Sequence, residues 1–138
     1  MDEVTVSLRV SAADLDPGTV TAELGIRPTF SARRGDRRAS KAGEITQRTG
    51  VWILELAEST EWQLADGITT LLTKLPKDLE VWRNLTSKAS VDLYCGLHLA
   101  DWNRGLELAP GVLGLLAERG IALHLDIYYD PPDTEADV

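Results

Sequence analysis

Residues 15–26 read LDPGTVTAELGI, and residues 108–121 read LAPGVLGLLAERGI. In the first stretch Asp16 is placed as an N-cap, Pro17 fills the first helical position, where a missing N–H costs nothing, and Leu15 reaches Val20 as a hydrophobic staple. Gly25 then closes the helix, with Ile26 returning to touch Val20. The second stretch repeats this grammar. Leu15, Pro17, Gly18, Val20, Gly25 and Ile26 correspond to Leu108, Pro110, Gly111, Leu113, Gly120 and Ile121, with the second helix two residues longer. Each helix has a strand before it and a strand after it, which reads as an internal duplication. Two such units predict an α+β fold in a ferredoxin-like two-fold β-α-β arrangement: an antiparallel sheet with helices on one face and extra helices between the halves.

The flanking segments supply those elements. Residues 4–10 alternate, Val4, Val6, Leu8 and Val10 against Thr5, Ser7 and Arg9, the period of a strand with one buried side. Residues 51–56, apolar except for Glu55, predict a second strand set well inside the sheet or under a helix. Thr60 and Gln63 form a capping box for a helix through Leu64, Ile68, Leu71, Leu72 and Leu75 that Pro76 stops. Residues 78–85, with Leu79, Trp82 and Leu85 on one side, predict a further short helix. In residues 91–99, Val91, Leu93, Cys95, Leu97 and Leu99 turn inward while Asp92, Tyr94, Gly96 and His98 turn outward. The last strand, residues 121–129, is expected to bury Ile121, Leu123, Leu125 and Ile127 and to expose Ala122, His124, Asp126 and Tyr128. A single domain over residues 1–130 follows, with 131–138 an acidic, Pro-containing tail expected to be disordered.

At 138 residues the chain can bury a core without staples, and 43% hydrophobic with 26% charged residues is ordinary globular usage. Cys95 is the only cysteine, which excludes an internal disulfide framework and a multi-cysteine zinc site and fits a reducing, cytoplasmic compartment. No secretory pattern opens the sequence, and no apolar run approaches the roughly 18 residues of a membrane span.

Charge singles out one region. Residues 25–52 hold seven of the 14 Lys and Arg (Arg27, Arg33, Arg34, Arg37, Arg38, Lys41, Arg48) against Asp36 and Glu44, a balance of +5 on a remainder of −13. Loop 27–48 lacks apolar periodicity and is longer than an ordinary connection, which marks it as functional or mobile. The acidic remainder disfavours nucleic acid as a partner, since such affinity comes from cations on phosphates.

The same region carries a family resemblance. A Gly-Ile-x-Pro-Thr entry (Gly25, Ile26, Pro28, Thr29), a Gly-Asp pair (Gly35, Asp36) and a Trp opening a strand (Trp52) resemble the bacterial family called domain of unknown function 4279, along residues 4–129. The resemblance implies a single domain, supplies no mechanism, and puts Gly35, Asp36 and Trp52 ahead of the arginines as residues to test.

Two candidate sites follow. Arg33, Arg34, Gly35, Asp36, Arg37 and Trp52 form a candidate ligand site in which paired guanidinium groups could grip a phosphate or carboxylate; the plain alternative is a surface turn whose arginines pair with the acidic body. The outward sheet residues Arg9, Asp92, Tyr94, His98, His124, Asp126 and Tyr128 form a second, with Tyr94, His98, His124 and Tyr128 a candidate interaction face. A metal there is set aside, because in a ferredoxin-like order the first strand separates His98 from His124. Cys95 faces inward and no nucleophile elbow or metalloprotease helix occurs. The expectation is a non-enzymatic protein-interaction or regulatory module, immunity-like in one version, with a protein partner or a homodimer and no cofactor, metal or membrane. The alternative is a small anionic-ligand-binding or enzymatic domain using loop 27–48.

Overall fold

In the computed structural model, which describes residues 2–56 and 61–129, the alternation of residues 4–10 becomes β1 (Glu3–Ala12). The chain continues through α1 (Pro17–Leu24), β2 (Phe30–Ala32), β3 (Arg37–Ser40), β4 (Gly43–Thr46), β5 (Gly50–Glu55), α2 (Leu64–Thr73), α3 (Leu79–Thr86), β6 (Ser90–Leu99), α4 (Pro110–Arg119) and β7 (Ala122–Tyr129). Val4, Val6, Leu8 and Val10 are each at most 1% exposed. They pack with Leu64, Ile68 and Leu71 of α2, and with Trp52, Trp82, Leu85, Leu93 and Leu97, into one core. Burying each such aliphatic side chain stabilises the fold by about 1.5–3 kcal/mol, so this layer, and not the surface charge pairs, holds the molecule together.

The caps form where the sequence places them. Asp16 Oδ1 accepts from the Gly18 N–H at 3.0 Å, and α1 and α4 both end on a left-handed glycine, Gly25 and Gly120. Asp78 caps α3 in the same way through the Glu80 N–H, at 3.0 Å. Thr60 lies outside the described residues, and Gln63 stands at the start of α2 without a side-chain capping bond.

The sheet has the order β2-β5-β1-β6-β7. β1 pairs antiparallel with β5 and β6, β2 pairs antiparallel with β5, and β7 runs parallel to β6. The sheet is therefore mixed and not antiparallel throughout, as the duplication had predicted. The helical caps do repeat, but the strands that follow them land differently. After α1 the chain enters β2, which is parallel to β1 with β5 between them; after α4 it enters β7 directly beside β6. A strand joined to its neighbour through a helix returns parallel, because the helix carries the chain back along the sheet's length.

Two further departures bear on function. Residues 27–48, expected to be a connection, contain β2 and a separate hairpin of β3 and β4, invisible to periodicity because seven of its eight strand residues are exposed. The inward side of β7 is also less covered than its alternation predicts: Ile121 is buried and Leu123 half-buried, but Leu125 is 42% and Ile127 59% exposed. As the edge strand, β7 extends beyond the helical layer.

Candidate functional site

The root of the basic excursion is built by the residues that carry the family resemblance. The Thr29 N–H donates to the Ile53 carbonyl at 2.7 Å and Thr29 Oγ1 accepts from the Glu55 N–H at 2.9 Å, fastening the entry of β2 to β5. Gly35 sits at φ +93°, a conformation that strains any residue with a side chain, and its N–H bonds the Gln47 carbonyl at 2.8 Å. Asp36 Oδ2 accepts from the Arg33 N–H at 2.8 Å, closing the turn that launches the hairpin. Trp52 is wholly buried, and its indole N–H donates to Thr21 Oγ1 at 3.0 Å. Its assignment to a ligand site is therefore corrected: Trp52 bolts β5 to α1 and offers no surface to a ligand.

The arginines of the candidate ligand site are largely engaged. Arg33 pairs with Asp16 at 2.9 Å, Arg34 with Asp14 at 2.8 Å and Arg37 with Glu44 at 3.8 Å. A cleft of about 310 Å³ lies beside the first two pairs, lined by Leu15, Thr19 and Lys88 and by the same Asp14 and Asp16. Its carboxylates oppose an anionic ligand. Arg38 instead lies 5.4 Å over the Phe30 ring, bringing the hairpin onto the helix-free face of the sheet.

That face is organised in rows by the strand register. One row runs Phe30, Ile53, Arg9, Asp92, Ala122; the next runs Glu55, Ser7, Tyr94, His124; then come Thr5, Gly96, Asp126, and finally Glu3, His98, Tyr128. Arg9 donates from Nε and Nη2 to both oxygens of Asp92, at 2.9 and 2.7 Å, while its guanidinium lies 4.5 Å over the Tyr94 ring. The Asp92 contact, more than any other, holds the guanidinium pKa above its ordinary value. Tyr94 and Tyr128 both donate their hydroxyls to Asp126 Oδ2, the latter at 2.5 Å. Those bonds hold the Asp126 carboxyl below its ordinary range, with the Tyr128 hydroxyl the larger cause. They also hold Tyr94 well above its ordinary pKa, chiefly through Asp126.

Ring contacts complete the network. His98 stacks on Tyr128 at 4.9 Å and 10°, His124 meets Tyr94 at 5.3 Å, and His124 Nδ1 lies 3.9 Å from Asp92. The separation of His98 from His124 expected from the antiparallel order is thereby corrected: β7 lies against β6, so all four candidate interaction residues share one surface. Among the described residues no three His, Cys, Asp or Glu side chains converge to hold a metal ion.

Sequence reasoning missed the apolar end of this face. Val51 and Ile53 are half-buried and lie beside Phe30, 37% exposed. The unbroken apolar run of residues 51–54 was the available signal, since a strand apolar on both sides must meet something on both. At the apolar end a cleft of about 320 Å³ opens among Arg9, Ser11, Thr49, Val51, Ile53 and Asp92.

Asp92 and Asp126 are both engaged by donors, Tyr94 keeps its proton, and burial pushes the Cys95 thiol up to about 12, where it is no nucleophile. No helix among the described residues is long and apolar enough to cross a membrane. No curated protein and no solved structure matches the chain. The model of the family described as domain of unknown function (DUF4279) does match, over residues 2–130, nearly the whole chain, and the protein therefore belongs to that family.

Proposed function

We propose that the chain is a non-enzymatic recognition module whose helix-free sheet face docks another protein. One observation carries this reading: Tyr94, His98, His124 and Tyr128 stand on an uncovered sheet face and are held in place by a continuous set of charge-assisted hydrogen bonds and ring stacks. Aromatic side chains fixed before binding lose little rotamer freedom when a partner arrives, so their buried area converts efficiently into affinity. The appended β7 contributes half of this face. We infer that the elements from β1 to β6, with strands ordered β2-β5-β1-β6, make a ferredoxin-like unit, and that α4 and β7 are an addition which widens its open face. A lone, buried, free Cys95 supports a reducing compartment such as the cytoplasm.

The test compares two double variants in partner capture from the source cell. Tyr94→Ala with Tyr128→Ala should lose the partner, while Arg33→Ala with Arg37→Ala should retain it. The reverse pattern would move the site to the basic excursion.

A second reading has one observation behind it. Among the described residues Arg27, Lys41 and Arg48 have no carboxylate within ion-pair distance, which leaves cations on the excursion for a small anionic ligand. A thermal-shift screen against phosphate, nucleotides and carboxylates tests it. A shift that disappears in Lys41→Ala with Arg48→Ala would support the ligand reading, and no shift for any compound would remove it.

A further inference from the structure

We propose that β7 is a homodimerisation edge, pairing antiparallel with β7 of a second copy about a two-fold axis at Leu125, so that two five-stranded sheets join into one. This pairing is independent of the recognition role of the sheet face. β7 is eight residues long, pairs with β6 without a bulge, and has no neighbour among the described strands on its other side. It contains no Pro, Lys or Arg, the devices that ordinarily keep an exposed edge from pairing. The opposite edge, β2, has only three residues.

The side chains of β7 point to the same conclusion. Leu125, Ile127 and Tyr129, on the helix side, are 42%, 59% and 49% exposed, and Leu113 of α4 is 45% exposed. This is a strip of core-type residues running to the margin of the helical layer and ending there. A second copy of the same strip continues the layer, because a two-fold axis normal to the sheet keeps both helical faces on one side.

The register is set by charge. In an antiparallel pair, opposite residues project to the same face with Cβ atoms about 4.5–5.5 Å apart. With the axis at Leu125, Leu125 faces the partner's Leu125, Ile127 faces the partner's Leu123, and His124 faces the partner's Asp126, the last two contacts occurring twice by symmetry. Asp126 is held as a carboxylate by the two tyrosine hydroxyls, so the His–Asp contacts are complementary. Moving the axis one residue toward Leu123 loses the His124–Asp126 contacts, and moving it one residue toward Tyr129 also sets the Asp126 carboxylate against the partner's Asp126. Like charges directly opposite each other are unfavourable.

Sedimentation equilibrium of the full chain across concentration, with Leu125→Cys and Ile127→Cys variants under mild oxidation, tests the pairing and its register. The mass should rise to twice 15.1 kDa. Ile127→Lys, at an exposed position on the side away from the proposed docking face, should raise the dimer dissociation constant about tenfold or more while leaving the far-ultraviolet circular dichroism spectrum unchanged. Leu125→Cys should cross-link to its own copy. Ile127→Cys should not, because its two copies lie about 13 Å apart along the strands. Cys95 is buried and does not compete. A chain that stays monomeric at every concentration overturns the proposal and leaves the edge to residues 130–138 or to a different protein. So does a dimer that Ile127→Lys leaves intact, or equal cross-linking at both cysteine positions.

Discussion

At Asp126 one oxygen serves two tyrosine hydroxyls, and this has a consequence in pH. The folded carboxyl sits below its ordinary value of 3.8. Its contribution to stability is thus complete above that value and is lost as pH falls through the lower, folded one. Thermal melts taken from about pH 5 down to about pH 2 should show a stability loss that is shallower in Asp126→Asn. The same variant releases Tyr94. Ultraviolet titration should find the Tyr94 hydroxyl ionising well above its ordinary 10.0 in the native chain and closer to it once the carboxylate is gone. Trp52 lies on the structural side of the ledger. Replacing it with Ala should cost about 3–5 kcal/mol in urea unfolding, and with Phe about 1–2 kcal/mol for the lost bond to Thr21 and a smaller void. Trp52 entered the candidate site through the family resemblance; alternation along β5 turns its side chain into the core.

Among the elements, capped helices and strands with an apolar period were legible, whereas strand direction and the exposed hairpin were not. Asp16, Pro17 and Gly25 bound α1, and Pro110 and Gly120 bound α4, because capping is local chemistry. The direction of β7 depends on where its crossover lands, which no residue of β7 encodes. The hairpin escaped because neither of its faces is buried, so no apolar period arises. That exposure makes it separable. Replacing residues 34–49 with a two-residue Asn-Gly turn between β2 and β5 should change unfolding free energy by about 1 kcal/mol or less, since the hairpin's ion pairs are surface pairs. A collapse of the fold would instead show that the hairpin anchors the sheet. Gly50, at the junction, is not separable: a Cβ there would lie 2.7 Å from the Leu15 backbone, and Gly50→Ala should cost about 1–3 kcal/mol in the same assay.

Across the whole molecule, an excursion of +5 lies against a remainder of −13, and Arg33 to Asp16 and Arg34 to Asp14 are the contacts through which the two meet. Screening at about 1 M salt shortens the reach of such charges to about 3 Å, so amide exchange in β3 and β4 should quicken with salt while that of β1 and β6 stays unchanged. The family resemblance is also intelligible at this scale. Gly25 closes α1, Thr29 and Trp52 fasten the two ends of the excursion to β5 and α1, and Gly35 and Asp36 shape the turn within it, so the likeness follows the excursion and its junctions, and the candidate face lies elsewhere, on strands whose polar residues look like ordinary surface until they are paired.

The parallel arrival of β7 sets an order of events in synthesis. Residues of the core layer on β1, α2, α3 and β6 have all been added to the chain before Ala122 is, whereas His124, Asp126 and Tyr128 come after it. A nascent chain can therefore bury its centre while half of the proposed docking face does not yet exist, and binding there would be deferred until β7 has been made.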